Sequence, residues 1–464
     1  MRTGADSEGH LTAQQVRLVA DTGAYASLGG PVTNLALEGC TGVYRIPNVV
    51  LDGYCVYTNN GVAGAFRGFG QLQANYAMEQ QMDQLADALG IDRLEIRRRN
   101  ALRQGDTNPL GHPMVDSVGV LAVLKAAEGS ELWARRHELE EASAPWKRRA
   151  VGLAVEMQGT GLGVGLPDYG AARIELVPGE AGARPRWRVG LSCPDIGQGN
   201  STAYAQMAAE ALEADVADVE VHVGDTALGP DSGSCTASRS VYTGGNAIFR
   251  AATAMRELMR REAPRILGCD ADTAAAATLG QIAVRAAEQG IGLETDGAFI
   301  WPESKVTIPG AFGLPHIINT YIAHVALIEV DTLTGEVEVL RTFAAIDCGQ
   351  VVNPQGVAGQ SEGGMVMGMG YALMEDTLIV GGRTLTRNLS TYIIPTSLDS
   401  PEMHTVTVGV AERSGPWGAK GVGEAAMVPI APAIALAIRQ ATGGALMARA
   451  PATAERVHAG MGRR

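Results

Sequence analysis

Residues 64–70, Gly-Ala-Phe-Arg-Gly-Phe-Gly, place one arginine and two aromatic rings among small residues. Because glycine has no side chain and tolerates positive φ, such a loop lets the backbone approach a phosphate or an anionic cofactor closely. Arg67 adds a planar donor fork that suits oxyanions. A glycine-rich turn with one exposed arginine is the alternative, and the heptapeptide alone does not decide between the two.

Two further loops precede predicted helices and could bind an anion. Residues 195–199, Asp-Ile-Gly-Gln-Gly, follow a strand that ends near Cys193. They open a helix near Ala203, so backbone N–H groups and the Gln198 amide would face a ligand at the helix N-terminus. Residues 234–240, Ser-Cys-Thr-Ala-Ser-Arg-Ser, offer hydroxyl and amide donors to a phosphate. Serine-rich loops before helices are also ordinary caps, and both interpretations stay open.

A third segment, residues 353–364, begins with an asparagine suited to an N-cap and a proline suited to the first helical position. The run that follows contains Gln360 and Glu362 and is too rich in glycine to be a good autonomous helix. Its glycines either let a ligand approach the backbone closely or let the helix pack tightly against a neighbour. Both explanations can hold for the same helix.

The last segment, residues 418–424, ends at Glu424 and leads into an almost wholly apolar helix predicted over residues 425–441. A carboxylate at the head of a buried helix is either a cap stabilised by the helix dipole or a base in a dry pocket. Burial would raise the pKa of Glu424, whereas the helix N-terminus would lower it, and a general base needs the first effect to be appreciable.

The elements that must position these segments follow from periodicity and turn signals. The expected order is a strand pair through Leu11–Ala20, an amphipathic helix through Met78–Leu89, a second helix with a capping box at Asp92 and Glu95, a charged helix around Leu132–Ala142, a hairpin of Arg173–Val177 with Trp187–Leu191, a helix near Ala203–Ala214, a strand through Val219–Val223 and a hairpin of Val325–Val330 with Val337–Leu340. This mixture predicts an α+β chain. The turn-rich residues 104–117 suggest a boundary between a first part, 1–110, and a second part, 118–464.

Composition excludes several classes of protein. The 464 residues, 46% of them hydrophobic, suffice for two or three domains with buried cores. A net charge of −13 without a basic cluster argues against a nucleic-acid surface. The six cysteines are scattered without a Cys-x-x-Cys pair, and the eight histidines fall singly, so we expect neither an iron–sulfur cluster nor a protein-ligated metal. With no apolar leader and no long apolar run, we expect a cytoplasmic chain that does not enter a membrane.

Together the segments resemble the molybdenum-binding subunit of the xanthine oxidase family of molybdenum hydroxylases. The motifs that carry the resemblance occur in the family's order: Tyr44-Arg-Ile-Pro-Asn48, Ala65-Phe-Arg-Gly-Phe-Gly70, Asp195-Ile-Gly-Gln-Gly199, Thr236-Ala-Ser238, Asp347 through Asn353-Pro354, Gly359-Gln-Ser-Glu-Gly-Gly364 and Gly423-Glu424. The resemblance implies contacts to a molybdopterin cofactor, whose cytosine dinucleotide form stays open, from Arg67, Ile196, Gly197, Gln198, Ala237, Ser238 and Gln360.

The same resemblance implies an activity. Glu424 would be the base beside molybdenum, Phe69 would lie beside the substrate ring, and an N-heteroaromatic or aldehyde substrate would be hydroxylated with water as the oxygen donor. Electrons would leave through a 2Fe-2S subunit and an FAD subunit, since this chain has no site for either group. The protein supplies binding and orientation while the cofactor carries the redox chemistry.

The sequence departs from the family pattern in three places. It starts after the family's hammerhead domain and the first part of the cofactor domain, so we expect a companion chain to supply that half and the chain to be inactive without partners. Leu35 stands where purine-oxidising members have a substrate-orienting arginine, and Leu162 stands near their second sandwiching phenylalanine. Two alternatives remain: a noncatalytic remnant or assembly partner, and a phosphate- or dinucleotide-binding protein that lacks the usual Gly-x-Gly-x-x-Gly signal.

Overall fold

The computed structural model describes residues 1–163, 165–178, 184–301, 316 and 318–462. Its strands are β1 (Arg2–Ala5), β2 (Leu11–Gly23), β3 (Val49–Tyr57), β4 (Lys147–Gly159), β5 (Tyr169–Val177), β6 (Arg186–Leu191), β7 (Val219–Val223), β8 (Leu293–Ile300), β9 (Asn319–Asp331), β10 (Val337–Asp347), β11 (Ile379–Val380), β12 (Arg383–Thr384) and β13 (Glu402–Thr407). Its α-helices are α1 (Gly29–Gly39), α2 (Gln71–Leu89), α3 (Arg93–Asn100), α4 (Val120–Glu128), α5 (Glu131–Ala134), α6 (Asn200–Leu212), α7 (Gly245–Leu267), α8 (Ala271–Ala275), α9 (Leu279–Glu288), α10 (Pro354–Leu373), α11 (Ile430–Ala441) and α12 (Ala454–Met461). Within these ranges, no helix is long and apolar enough to cross a membrane.

A four-stranded sheet in the order β13-β10-β9-β4 is packed between two layers of helices. β9 pairs antiparallel with both β4 and β10, and β13 adds a parallel edge. Because side chains alternate across a strand, β9 contributes Ala323, Val325 and Leu327 to one core and Ile322 and Ala326 to the other. The first core is covered by helices α2 to α5, and the second by α10 and α11. Both faces of the sheet are therefore buried under helices.

A second four-stranded sheet, β7-β6-β5-β8, carries a core of its own. Helices α6, α7 and α9 cover one face of it, with Trp187, Tyr204, Ile248 and Met255 among the buried residues. A five-residue π-helical turn, Ser240–Gly244, leads into α7. The loop before α6 and the turn before α7 leave this unit on the side that bears the candidate site.

The third sheet, β1-β2-β3, combines an antiparallel and a parallel pair near the start of the chain. Helix α2 follows it and ends at Gly90 with φ 66°, a left-handed conformation in which glycine is favoured. A fully buried Arg97 on α3 donates to the carboxylates of Glu79 and Asp83 on α2. This buried ion cluster fixes the angle between the two helices.

Most of the predicted elements are confirmed, and three details were wrong. The charged helix around 132–142 reduces to the single turn of α5, because only Leu132 and Trp133 find a core and the rest has no apolar stripe to bury. Asp92 caps α3 as predicted, but the carboxylate of Glu95 bonds Arg98 and Arg99 instead of closing a capping box.

The helix predicted over residues 425–441 is interrupted. A 3₁₀ turn covers Ala425–Met427, and α11 begins only at Ile430. Pro429 lies between them and has no N–H to continue the first turn, which explains the break. The proposed division into residues 1–110 and 118–464 stays a prediction.

Gly152 on β4 tests how closely the central sheet and α11 pack. A Cβ at this position would collide with the carbonyl oxygen of Ala433 and the nitrogen of Ala437. We expect Gly152→Ala to lower the free energy of unfolding by about 1–3 kcal/mol, the usual cost of overpacking a core. Chemical denaturation of the two proteins measures the difference.

The matched control is Gly292→Ala, because a Cβ at Gly292 meets no atom of the described chain within 4 Å. We expect this control to change stability by less than about 0.5 kcal/mol. Equal effects of the two substitutions would contradict the packing argument.

Candidate functional site

Five separate segments line one cavity of about 770 Å³. They lie within residues 65–69, 196–203, 235–241, 348–367 and 419–424. Only the last range contributes all of its residues to the lining. The cavity brings together nine of the residues predicted from sequence: Arg67, Phe69, Ile196, Gly197, Gln198, Ala237, Ser238, Gln360 and Glu424. Loops from both large sheets therefore converge on one space that can enclose a sizeable ligand.

Arg67 connects three of these segments. Its Nε donates to the carbonyl oxygen of Gly423 at 2.6 Å, and its Nη2 donates to Gln360 Oε1 at 3.0 Å. The guanidinium therefore holds the residue before Glu424 against α10. Because two of its three nitrogens already have protein acceptors, an oxyanion would bind at Nη1 or displace Gln360, and the simple donor fork expected from sequence is partly occupied.

Glu424 is held by neighbouring loops rather than by its own helix. Its N–H donates to Ser238 Oγ at 2.9 Å, and its side chain makes no cap hydrogen bond to the turn that follows. Burial raises the pKa of this carboxyl, while the N–H groups of Gly68 and Ala237 and the charges of His316 and Arg67 oppose the rise. The capping interpretation is therefore wrong for the side chain, and a raised pKa in a cavity wall suits a base.

His316 is a buried titratable group near this wall. Its ring nitrogens lie 3.1 Å from Glu38 Oε2 and 3.2 Å from the carbonyl oxygen of Gly161. Burial alone would lower the pKa of His316, but the carboxylate of Glu38 and the Gly161 carbonyl outweigh it and raise the pKa overall. Gly161 in turn donates its N–H to Ala237 O, so the histidine supports the loop that contacts Glu424.

Residues 195–199 differ from the sequence expectation. The carboxylate of Asp195 accepts the N–H groups of Gly197, Gly199 and Ser201, so these donors are turned inward instead of toward a ligand. The Gln198 amide likewise bonds within the wall, accepting from the Ile196 N–H and donating to Pro194 O. A carboxylate two residues before a glycine is well placed to form such a turn. Asp195 therefore binds the N–H groups that were expected to bind a ligand.

Three non-glycine residues in the cavity wall have left-handed backbone. Phe69, Ala237 and Ser238 have φ values of 49°, 51° and 51°. Such conformations cost free energy for residues with a Cβ and are maintained only where surrounding contacts require them. Phe69 is only partly buried and borders the cavity, as a ring beside a ligand must.

The two leucines proposed to contact substrate do not line this cavity. Leu35 is buried in α1 with 7% of its surface exposed. Leu162 is partly exposed, and its N–H donates to the carboxylate of Asp168 at 2.8 Å. Their assignment to a substrate site stays a prediction.

Sequence reasoning missed two buried polar residues of the wall. Asn200 is 3% exposed at the start of α6, and its side-chain nitrogen Nδ2 has no hydrogen-bond partner among the described residues. Lys420 is also buried and donates to Asp347 Oδ2 at 2.7 Å. The position of Asn200 directly after Gly199 could have indicated it, whereas the pairing of Lys420 with Asp347 across 73 residues carries no local signal.

The donor set fits a large anionic cofactor. The cavity combines a guanidinium, a hydroxyl at Ser238 and a buried amide nitrogen at Asn200 that lacks a protein acceptor among the described residues. Gly197 and Gly199 have open space where a Cβ would lie, so a ligand can pack against these glycines, whose N–H groups are bonded to Asp195. A phosphate-bearing pterin offers the acceptors that these groups require.

Comparison with known proteins agrees with this arrangement. Residues 125–401 match a family described as molybdopterin cofactor-binding domain, and residues 1–101 match a second family with the same description. The chain belongs to the xanthine oxidase family of molybdenum-binding subunits. The α+β fold predicted from the sequence, as a molybdopterin-binding region of this family, is thereby confirmed.

The family's members align along nearly the whole chain. A probable xanthine dehydrogenase subunit of Bacillus subtilis is 36% identical over 453 residues, which cover 96% of this chain and 59% of the relative. An aldehyde oxidoreductase of Megalodesulfovibrio gigas is 30% identical, over 98% of this chain and 48% of the relative. The solved quinoline 2-oxidoreductase from Pseudomonas putida 86 superposes with a TM-score of 0.83 at 26% identity, over 100% of this chain and 61% of that one. The chain thus spans roughly half to three fifths of the length of these relatives.

The buried pair of Lys420 and Asp347 predicts a stability effect at the site. Lys420→Met would leave the carboxylate of Asp347 buried without its cation, which typically costs about 3–5 kcal/mol. We expect the midpoint of chemical denaturation to fall accordingly.

The double variant Lys420→Met with Asp347→Asn removes the unpaired charge. We expect it to recover part of the lost stability, because the cost arises mainly from the isolated carboxylate. A double variant that is no more stable than Lys420→Met would contradict this explanation.

Proposed function

We propose that the chain is the substrate-oxidising part of a molybdenum hydroxylase, with Glu424 as its general base. The observation that carries the proposal is the position of Glu424: an uncapped carboxylate with a raised pKa that borders the cavity shared with Arg67, Ser238 and Gln360. A bound molybdopterin would supply two-electron oxidation chemistry with oxygen derived from water. A carboxylate oxygen of Glu424 would accept the proton of the water-derived oxygen that attacks the substrate.

The remaining wall residues would hold the cofactor. Arg67 would bind an acceptor oxygen through Nη1, and Asn200 Nδ2 would donate to a second one. Ala237 and Ser238 would face the cofactor with left-handed backbone, and Gln360 would orient Arg67. Ile196, Gly197 and Gln198 would form the opposite edge, where Ile196 is 75% exposed and available for contact.

The substrate would be a small N-heteroaromatic compound or an aldehyde. Phe69 borders the cavity and offers an aromatic ring against which such a substrate could pack. Relatives described as a nicotine 6-hydroxylase large subunit and an aldehyde oxidoreductase act within the same two substrate classes.

Catalysis would require partner chains. Several relatives are described as subunits, among them a subunit gamma of a dehydrogenase complex and a large subunit. The proposed partners are the remainder of the molybdenum subunit, a 2Fe-2S subunit and an FAD subunit that remove electrons. The isolated chain would bind the cofactor weakly and would not turn over.

Replacing Glu424 by glutamine tests the proposed base. The amide keeps the side-chain volume but cannot accept a proton, so we expect turnover in the assembled complex to fall by about 10² to 10⁴ or more. In the parent, the rate should rise with pH through a pKa above the usual glutamate value, because Glu424 acts in its deprotonated form and burial raises its pKa. The measurements are single-turnover reduction by an aromatic aldehyde and its pH profile.

Glu362→Gln is the control, since Glu362 lies on the same chain segment as Gln360 but does not border the cavity. It should leave the single-turnover rate near that of the parent. A rate for Glu424→Gln within tenfold of the parent, with normal molybdenum content, would remove Glu424 from the mechanism.

Replacing Arg67 by lysine tests the cofactor cradle. An ammonium cannot reproduce the planar two-point contact of the guanidinium with Gly423 and Gln360, and losing one charge-assisted hydrogen bond costs about 1–3 kcal/mol. We expect the complex to lose molybdenum during dialysis, measured by metal analysis. Arg383→Lys, at an exposed position on β12, should retain it. If the Arg67→Lys complex keeps its full molybdenum content, Arg67 does not hold the cofactor and only forms the turn.

A further inference from the structure

Two cysteines meet beside the cavity, at the hydroxyl of Ser240. The Ser240 Oγ lies 3.4 Å from the sulfur of Cys193 and 3.6 Å from the sulfur of Cys235. Cys235 is partly exposed and lines the cavity, whereas Cys193 is buried at the end of the second sheet. The two thiols therefore share one polar neighbour, with one of them open to a small reagent and the other behind it.

The sulfur of Cys235 is surrounded by hydrogen-bond donors. Gln198 Nε2 donates to it at 3.3 Å, and the Ser240 hydroxyl donates to it at 3.6 Å. Donors that converge on a sulfur favour the thiolate, which is the nucleophilic form of cysteine. We propose that Cys235 and Cys193 form a redox-active thiol pair in the cavity wall, in which Cys235 is oxidised by a peroxide and Cys193 closes a disulfide with it.

The electrostatics agree with this geometry. The neighbouring Cys193 thiol lowers the pKa of Cys235 to about 6, with Ser240 and Arg239 acting in the same direction and burial and Asp195 opposing it. The pKa of Cys193 is raised by Cys235 and by burial, so Cys193 keeps its proton. The pair thus contains an attacking thiolate and a protonated thiol, the arrangement found where a reactive cysteine has a resolving partner.

The reaction balances with a peroxide as the oxidant. The Cys235 thiolate attacks one peroxide oxygen, so that an S–O bond forms, the O–O bond breaks and hydroxide leaves. Cys193 then attacks the oxidised sulfur, so that an S–S bond forms, the S–O bond breaks and water leaves. The two cysteines lose two electrons and the peroxide gains them. Ser240 begins the π-helical turn, a conformation that is often found at functional sites.

Alkylation of the full chain tests the first half of the proposal. At pH 6 we expect iodoacetamide to modify Cys235 at least about tenfold faster than the exposed Cys55, because the thiolate fraction and not exposure sets the rate. Peptide mass spectrometry measures both rates in one sample. Faster modification of Cys55 across the pH range would overturn the proposal.

Hydrogen peroxide tests the second half. We expect a Cys193–Cys235 linked peptide that dithiothreitol reverses. In Cys193→Ser, the same treatment should instead leave sulfenic or sulfinic Cys235. Cys269→Ser, which changes a half-buried cysteine outside the cavity wall, should form the linked peptide as the parent does. Peroxide-treated parent chain without that peptide would overturn the proposal, and this measurement does not depend on how the variants fold.

A consequence for the cofactor rests on the proposed function. Cys235 lies between Gln198 and Ala237 in the wall, so bound molybdopterin should slow its alkylation at least several-fold in the assembled complex. Protection supports a cofactor at this wall. Fast alkylation of Cys235 in a complex with full molybdenum content would contradict the cofactor placement, while rapid alkylation of the cofactor-free chain would still support the thiol pair.

Discussion

The candidate site depends on the hydrogen bonds of Arg67. From one loop its guanidinium reaches residues 293 and 356 positions further along the chain, at Gln360 and Gly423. A planar group with fixed donors holds two such segments in one defined geometry, which the freely rotating donors of an ammonium do not impose. The contact is partly buried, so it is less weakened by water than an exposed pair would be. The position of Glu424, the residue after Gly423, follows from this contact.

The central sheet supplies the rigidity that this contact requires. β10 ends at Asp347. Its carboxylate accepts hydrogen bonds from the Lys420 ammonium and from the N–H groups of Gly349 and Val410. The loop before Glu424 is thereby attached both to the end of a buried strand and, through Arg67, to α10. A buried ion pair of this kind adds little net stability by comparison with apolar packing, but it specifies one arrangement of the loops. For a base that must face one point in a cavity, that specificity matters more than the stability.

Much of this could be predicted from the sequence, for physical reasons that differ between elements. The helix through Met78 and the strands of β9 and β10 were predictable because one or both faces are apolar at the proper period. The loops of the cavity were recognisable because positive φ demands glycine, as at Gly68 and Gly197. Local charge density predicted a helix after Leu132 that the structure does not contain, since a charged helix without a core to cover is not stable.

What the sequence could not supply is the set of contacts between distant polar residues. Nothing near Lys420 points to Asp347, and nothing near Cys235 points to Cys193, because each pair meets only after the intervening chain has folded. The same holds for the strained backbone: a phenylalanine and an alanine give no local sign of left-handed φ, yet Phe69 and Ala237 both adopt it beside the cavity. The backbone N–H groups of Ala237 and of Gly68, the residue before Phe69, both donate hydrogen bonds to the Glu424 carboxylate. An unfavourable local conformation is therefore found at Ala237, which contacts the proposed base. It persists because the hydrogen bonds of Arg67 to Gly423 and of the buried His316 to Gly161 hold the neighbouring loops in place.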